Sequence, residues 1–130
     1  MLEALIAFLS YLGVSVAATA AFVLLYCMIT PYHERELLAK GNTAAALSLA
    51  GVALGFTVPV ASAVAHSVSL VDVSIWAAIA GIVQLIGYSV FRLLFPAMRT
   101  QIEAGQMALP TLYAGLAVSL GLLNAAAMSY

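Results

Sequence analysis

The chain has 130 residues, 65% of them hydrophobic and 7% charged, with a mean hydropathy of +1.15. Soluble domains carry about 25% charged residues, so a soluble globular domain is excluded; the length instead predicts one membrane domain over 1–130, with four spans of about 20 residues each. A formal net charge of -1 excludes a polybasic face and nucleic acid as a partner, leaving membrane lipids and other proteins.

The first apolar run extends from Ala4 to Ile29. Glu3 stands where a secretory signal would carry positive charge, so the run is expected to be a retained helix. Cys27, the single cysteine, excludes an internal disulfide and is expected to fill space as a buried thiol. Next comes TPYHERELLAKGN, which reads as a short amphipathic helix at the membrane interface. Pro31 suits its first position, Glu36 and Lys40 stand four apart in the favourable order, and Gly41 suits its end. Asn42 is then placed to cap the second span, Thr43 to Ala65.

In that span Gly51 and Gly55, with Ala44, Ala45, Ser48 and Ser62 nearby, form a strip of small residues suited to close helix packing or an oligomer interface. Pro59 removes a hydrogen bond to the carbonyl of Gly55, which predicts a kink and a freed carbonyl that could coordinate an ion. A short connection, HSVSLVD, leads to the third span, Val73 to Phe95. Gln84, deep within it, shares a face with Gly81 and Tyr88 and is expected to bond a serine, Thr19 or Asn124 on another helix, or to line a pore. The second elbow, FPAMRTQIEAGQ, repeats the grammar of the first with Pro96, Arg99 and Glu103, Gly105 and Gln106, the last a poorer cap than Asn42. The fourth span is expected from Met107 to Ser129. All four runs must be helices, because isolated strands cannot satisfy their backbone in lipid and four cannot close a barrel.

All four basic residues, Arg35, Lys40, Arg92 and Arg99, fall on the side of the two elbows, which the positive-inside rule makes cytoplasmic, with both termini outside. A shift of about 64 residues superposes Arg35 on Arg99, Gly41 on Gly105 and Gly51 on Gly115. This predicts an internal repeat, about 1–66 and 67–130, of two tandem parallel helical hairpins related by an axis along the membrane normal.

The elbow Glu36-Leu37-Leu38, followed by Lys40-Gly41-Asn42-Thr43-Ala44-Ala45-Ala46 and a Gly51-xxx-Gly55 helix, resembles the YjfL-like family of bacterial membrane proteins, domain of unknown function 350. The resemblance covers essentially the whole chain. It implies a bacterial inner-membrane protein of unsettled molecular role, discussed alongside envelope-stress genes, and brings no catalytic residues. Gln106 and Ser119 depart from the pattern in the second copy.

No carboxylate, lysine or arginine is expected near the middle of a span, which argues against a proton-coupled pump. His33 and His66 fall on opposite predicted sides, and no nucleophile has a base in reach, so neither a metal site, a cofactor nor an enzyme is expected. Tyr32 beside His33 reads as an interfacial anchor. Two functions remain. One is a homo-oligomeric membrane scaffold or stress-associated component whose contacts are the elbow residues Arg35, Glu36, Lys40, Gly41, Asn42, Arg99 and Glu103, with Gly51, Gly55 and Gly115 in helix packing. The other is a small passive channel or carrier, whose polar core would draw on Gln84, Tyr88, Pro59 and Asn124.

Overall fold

The computed structural model describes residues 1–128 and is all-helical among them. The six helices are α1 (Leu2–Ile29), α2 (Glu34–Ala39), α3 (Thr43–His66), α4 (Leu70–Leu94), α5 (Met98–Ala104) and α6 (Ala108–Met128). Four of them, α1, α3, α4 and α6, are long and apolar enough to cross a membrane. The short α2 and α5 occupy the two elbows. Ser129, expected to end the fourth span, lies outside the described residues.

The helix boundaries follow local chemistry. Thr30 precedes Pro31 and adopts an extended conformation (φ -65, ψ 144), as the proline ring demands of its predecessor, and α1 therefore ends at Ile29. The two prolines expected to open the elbow helices lie outside them: α2 starts three residues after Pro31 and α5 two residues after Pro96. A turn at each proline reverses the chain before a helix can form. Both elbows close alike. Gly41 (φ 80) and Gly105 (φ 75) take the left-handed conformation, with paired backbone bonds from Gly41 N–H to Leu38 and Asn42 N–H to Leu37, and from Gly105 N–H to Ile102 and Gln106 N–H to Gln101. This double bond pattern satisfies carbonyls that the helix end leaves free.

The connection between α3 and α4 is shorter than the sequence suggests. Ser69 is extended, and its hydroxyl accepts from the Asp72 N–H at 3.1 Å, so α4 begins at Leu70 rather than Val73 and Asp72 joins its first turn.

At the centre, α3 packs along α6. Half of the most apolar window of α3 is buried, against 11% of that of α1, which makes α3 the hub and leaves most of α1 facing outward. Contact between α3 and α6 is nearly backbone on backbone: Gly51 abuts Ala114, Gly55 abuts Ala117, and Gly121 abuts Gly55. Small residues permit this approach, and dispersion between the closely packed surfaces then holds the helices without a hydrophobic drive. Gly115, expected in the strip, is exposed with open space around it. The facing row on α6 runs Ala114, Ala117, Gly121, and Gly115 is turned about 100° from it.

α3 is continuous through Pro59, which is buried. The Gly55 carbonyl that Pro59 leaves without a helical donor lies directly against Gly121, so packing covers it.

Candidate functional site

Polar chemistry collects at the elbow end of the bundle. The turn Thr30–His33 brings Glu34, the first residue of α2, back beneath the end of α1, where it is 2% exposed. Its Oε1 lies 2.7 Å from Thr30 Oγ1, and Cys27 Sγ donates to Oε2 at 3.5 Å. Around it stand Tyr26 from α1, Tyr32 from the turn, Tyr88 from α4 and Tyr113 from α6, all buried. Of the six tyrosines in the chain these four converge; Tyr26 and Tyr113 each meet Tyr88 edge to face, at 5.2 and 5.8 Å between ring centres. Such offset contacts put ring edges against ring faces, the favourable quadrupole arrangement.

The buried hydroxyls of Tyr26, Tyr32 and Tyr113 make no hydrogen bond of good geometry among the described residues. The Tyr32 hydroxyl lies within electrostatic reach of Tyr26, Glu34, Tyr88 and Tyr113, and burial pushes it well above the usual phenol range. Burial likewise pushes the Glu34 carboxyl up, only partly offset by the Thr30 and Cys27 contacts. No cation pairs with Glu34: the ion pairs among the described residues are the exposed Lys40–Glu36 at 3.3 Å and Arg99–Glu103 at 3.4 Å. Beside the cluster opens a cleft of about 580 Å³ lined by Tyr32, Tyr88, Ser89, Arg92, Pro96 and Arg99.

The expected site residues divide into three groups. Arg35 and Glu36 are exposed on α2, Lys40 and Gly41 just past its end, and Arg99 and Glu103 on α5. Asn42 does two things: its Oδ1 accepts from the Ala45 N–H at 2.9 Å, capping α3, and its Nδ2 donates to the Ile102 carbonyl at 2.7 Å, tying the first elbow to the second. Gln106 is exposed; the start of α6 is served instead by Gln101, whose Oε1 accepts from the Leu109 N–H at 2.9 Å.

In the bundle interior Gln84 is 1% exposed and donates to the Ala117 carbonyl at 3.0 Å, rather than to a serine, Thr19 or Asn124. The close α3–α6 approach explains this, because it brings the α6 backbone within reach before any polar side chain. Asn124 is separate, its buried Nδ2 without a hydrogen bond among the described residues. Tyr88 belongs to the tyrosine cluster, and Tyr32, read as an interfacial anchor, is buried there too, at 3% exposure. His33 is exposed, while His66 Nδ1 lies 2.8 Å from the Ser62 carbonyl at the opposite end. No group of three or more His, Cys, Asp or Glu that could hold a metal occurs among the described residues.

Sequence reasoning passed over Glu34, Thr30, Tyr26 and Tyr113. Their signal was faint but present: four tyrosines each fall near the elbow end of a helix or in the elbow, and Thr30-Pro31 sets a turn four residues before a glutamate.

Comparison with known proteins agrees with the resemblance seen in the sequence. The family described as Domain of Unknown Function (DUF350) matches residues 1–128. Two proteins, each called UPF0719 inner membrane protein YjfL, from Escherichia coli K12 and O157:H7, are 35% identical over 130 residues, covering 100% of this chain and 98% of theirs. No solved structure is significantly similar. With a family match along nearly its full length and relatives of the same extent, the chain belongs to the DUF350 family.

Proposed function

We propose that this chain is a non-enzymatic, multi-pass protein of the bacterial inner membrane that works as a self-associating scaffold, with its two elbows presented to the cytoplasm as the contact surface. Within it, two tandem hairpins, each a span, an elbow helix and a second span, are related by duplication, and the termini face the periplasm. The inner-membrane placement rests on the names of the Escherichia coli relatives and on the four apolar helices. The positive-inside rule supports the orientation.

One observation carries the choice of scaffold over channel. Two polar groups that a pore would use are engaged in packing: Gln84 is bonded to the Ala117 carbonyl and the Gly55 carbonyl is covered by Gly121. Charged side chains that remain available, Arg35, Glu36, Lys40, Arg99 and Glu103, cluster on the elbow helices, whose positions are fixed relative to each other by the Asn42–Ile102 bond. A fixed array of exposed charge sets binding register and partner choice.

The test is the double variant Glu36→Lys, Lys40→Glu, which keeps a pair four residues apart while inverting the pattern. Complexes isolated from native membranes with the wild type should lose their cytoplasmic components in the variant while the chain's self-association in lipid persists. Unchanged capture by a correctly folded variant refutes docking at the elbows, and a monomer in lipid refutes the scaffold.

A further inference from the structure

The Glu34 cluster is unexplained by a scaffold role, since a partner surface has no need of a carboxyl that is 98% covered. We propose that Glu34 is a proton-binding site: it holds a proton as the neutral acid while α2 is docked on the bundle, and giving up that proton to water releases the first elbow. This does not depend on the scaffold reading.

Hydrogen-bond accounting supports the neutral form. Thr30 Oγ1 has one proton but three acceptors in reach, Glu34 Oε1 at 2.7 Å, the Cys27 carbonyl at 3.1 Å and the Tyr32 carbonyl at 3.5 Å. With an ionised Glu34 that single proton is drawn to the carboxylate and away from the Cys27 carbonyl. With a protonated Glu34 the chain closes: Oε1–H donates to Thr30 Oγ1, Thr30 donates to the Cys27 carbonyl, and Oε2 accepts from Cys27 Sγ. Every polar proton of the three side chains then has an acceptor.

Charge accounting agrees. The groups facing Glu34 are Tyr26 and Cys27 of α1, Tyr32 of the turn, Tyr88 of α4 and Tyr113 of α6, none of them a cationic side chain. Arg92 of α4 lines the neighbouring cleft beside Tyr88 and forms no ion pair with Glu34. The 28-residue α1 ends here with the negative pole of its dipole, opposed only by the start of the six-residue α2. A carboxylate in this setting has lost its water, faces no counter-charge and meets a negative helix end. Glu34 lines neither the 580 Å³ cleft nor the smaller one of 240 Å³ beneath Tyr113, so a proton fits where a hydrated metal ion or an organic cation would not. Tyr32 and Tyr88, two of the tyrosines around the acid, also line the larger cleft, which places solvent-accessible space beside the cluster.

The experiment uses the full chain in phospholipid nanodiscs, with glutamate carboxyls labelled with carbon-13, read by infrared spectroscopy across pH. Glu3, Glu36 and Glu103 are exposed, so a protonated-acid carbonyl band at neutral pH can come only from Glu34. It should be present in the wild type, disappear as pH rises, and be missing from Glu34→Gln. In parallel, Cys27 serves as the natural reporter of release. Its alkylation by a water-soluble maleimide should rise more steeply with pH in the wild type than in Glu34→Gln, where the site cannot ionise. A carboxylate at neutral pH overturns the proposal, including one stabilised by added sodium or potassium, and so does an identical Cys27 profile in the two proteins. Should Glu34→Gln not fold, the wild-type band alone decides.

Discussion

Substituting Gly55 by alanine tests the central claim that α3 and α6 meet through their backbones. A methyl group there would lie 2.6 Å from Gln84 Nε2 and would overlap the Ala117 carbonyl, closer than carbon atoms approach without displacement. Either α6 backs away along its length or Gln84 swings out and its bond to Ala117 is lost. Overpacking a tight core costs roughly 1–3 kcal/mol, and an interhelical bond of this kind contributes about 0.6 kcal/mol. Alanine also favours the helix over glycine by up to about 1 kcal/mol, a gain that Gly115→Ala shares without any clash, since nothing lies within 4 Å of that position. Taken as a difference between the two variants the propensity gain cancels, leaving Gly55→Ala less stable than Gly115→Ala by roughly 1–3.5 kcal/mol. Reversible unfolding in mixed micelles, followed by helicity and by the fluorescence of Trp76, measures it. If the two variants agree within about 0.5 kcal/mol, the size of an ordinary surface substitution, the helices are not in backbone contact and the account of the core fails.

Asn42→Ala should destabilise the chain by about 1 kcal/mol for the lost cap alone, with a further loss for the released Ile102 carbonyl, whereas Gln106→Ala should be neutral; thermal unfolding in detergent separates them. Burial raises the Glu34 carboxyl in the folded chain, so the folded state binds that proton more tightly than the unfolded state; its stabilising contribution is complete below the ordinary carboxylate range and falls as pH rises through the raised value. Unfolding measured across pH should show this decline in the wild type and a flat profile in Glu34→Met, and a wild type whose stability rises over that window contradicts the burial.

The four spans and the sites of the two elbows were legible because they depend on strong, local signals: uninterrupted apolar length, and glycine followed by an amide. Asn42 was legible as a cap for the same reason, its partner being three residues away. Its second bond, to Ile102 sixty residues on, was not, since nothing in either segment encodes the other's position. Gln84 was identifiable as a polar side chain in need of a partner, yet the partner was a backbone carbonyl, which is available at every residue and so leaves no mark in the sequence. The same applies to Gly115 and Gly121. Both are glycines in an apolar run, and only the rotation of α6 decides that Gly121 meets Gly55 while Gly115 faces out. Glu34 was hidden by its company, as the first of three charged residues in a row, Glu34-Arg35-Glu36, where composition predicts exposure for all.

The proposed duplication sharpens what Glu34 means. A shift of 64 residues places Met98 on Glu34, and the two are buried almost equally, at 3% and 2% exposure. The architecture therefore requires an elbow helix to tuck its first residue into the bundle, and in the second elbow methionine meets that need with a flexible apolar chain. A carboxyl meets it worse, because it must be desolvated and, if ionised, left without a counter-charge. The surrounding groups are not duplicated either: the same shift sets Val90 against Tyr26, Pro96 against Tyr32, Leu24 against Tyr88 and Leu49 against Tyr113. All four tyrosines thus converge on the elbow that carries the carboxyl, and none of their counterparts brings a hydroxyl to the elbow that carries methionine. Packing alone would be served by two methionines. The difference between the elbows is chemical: a carboxyl among four tyrosines at the first, a methionine at the second.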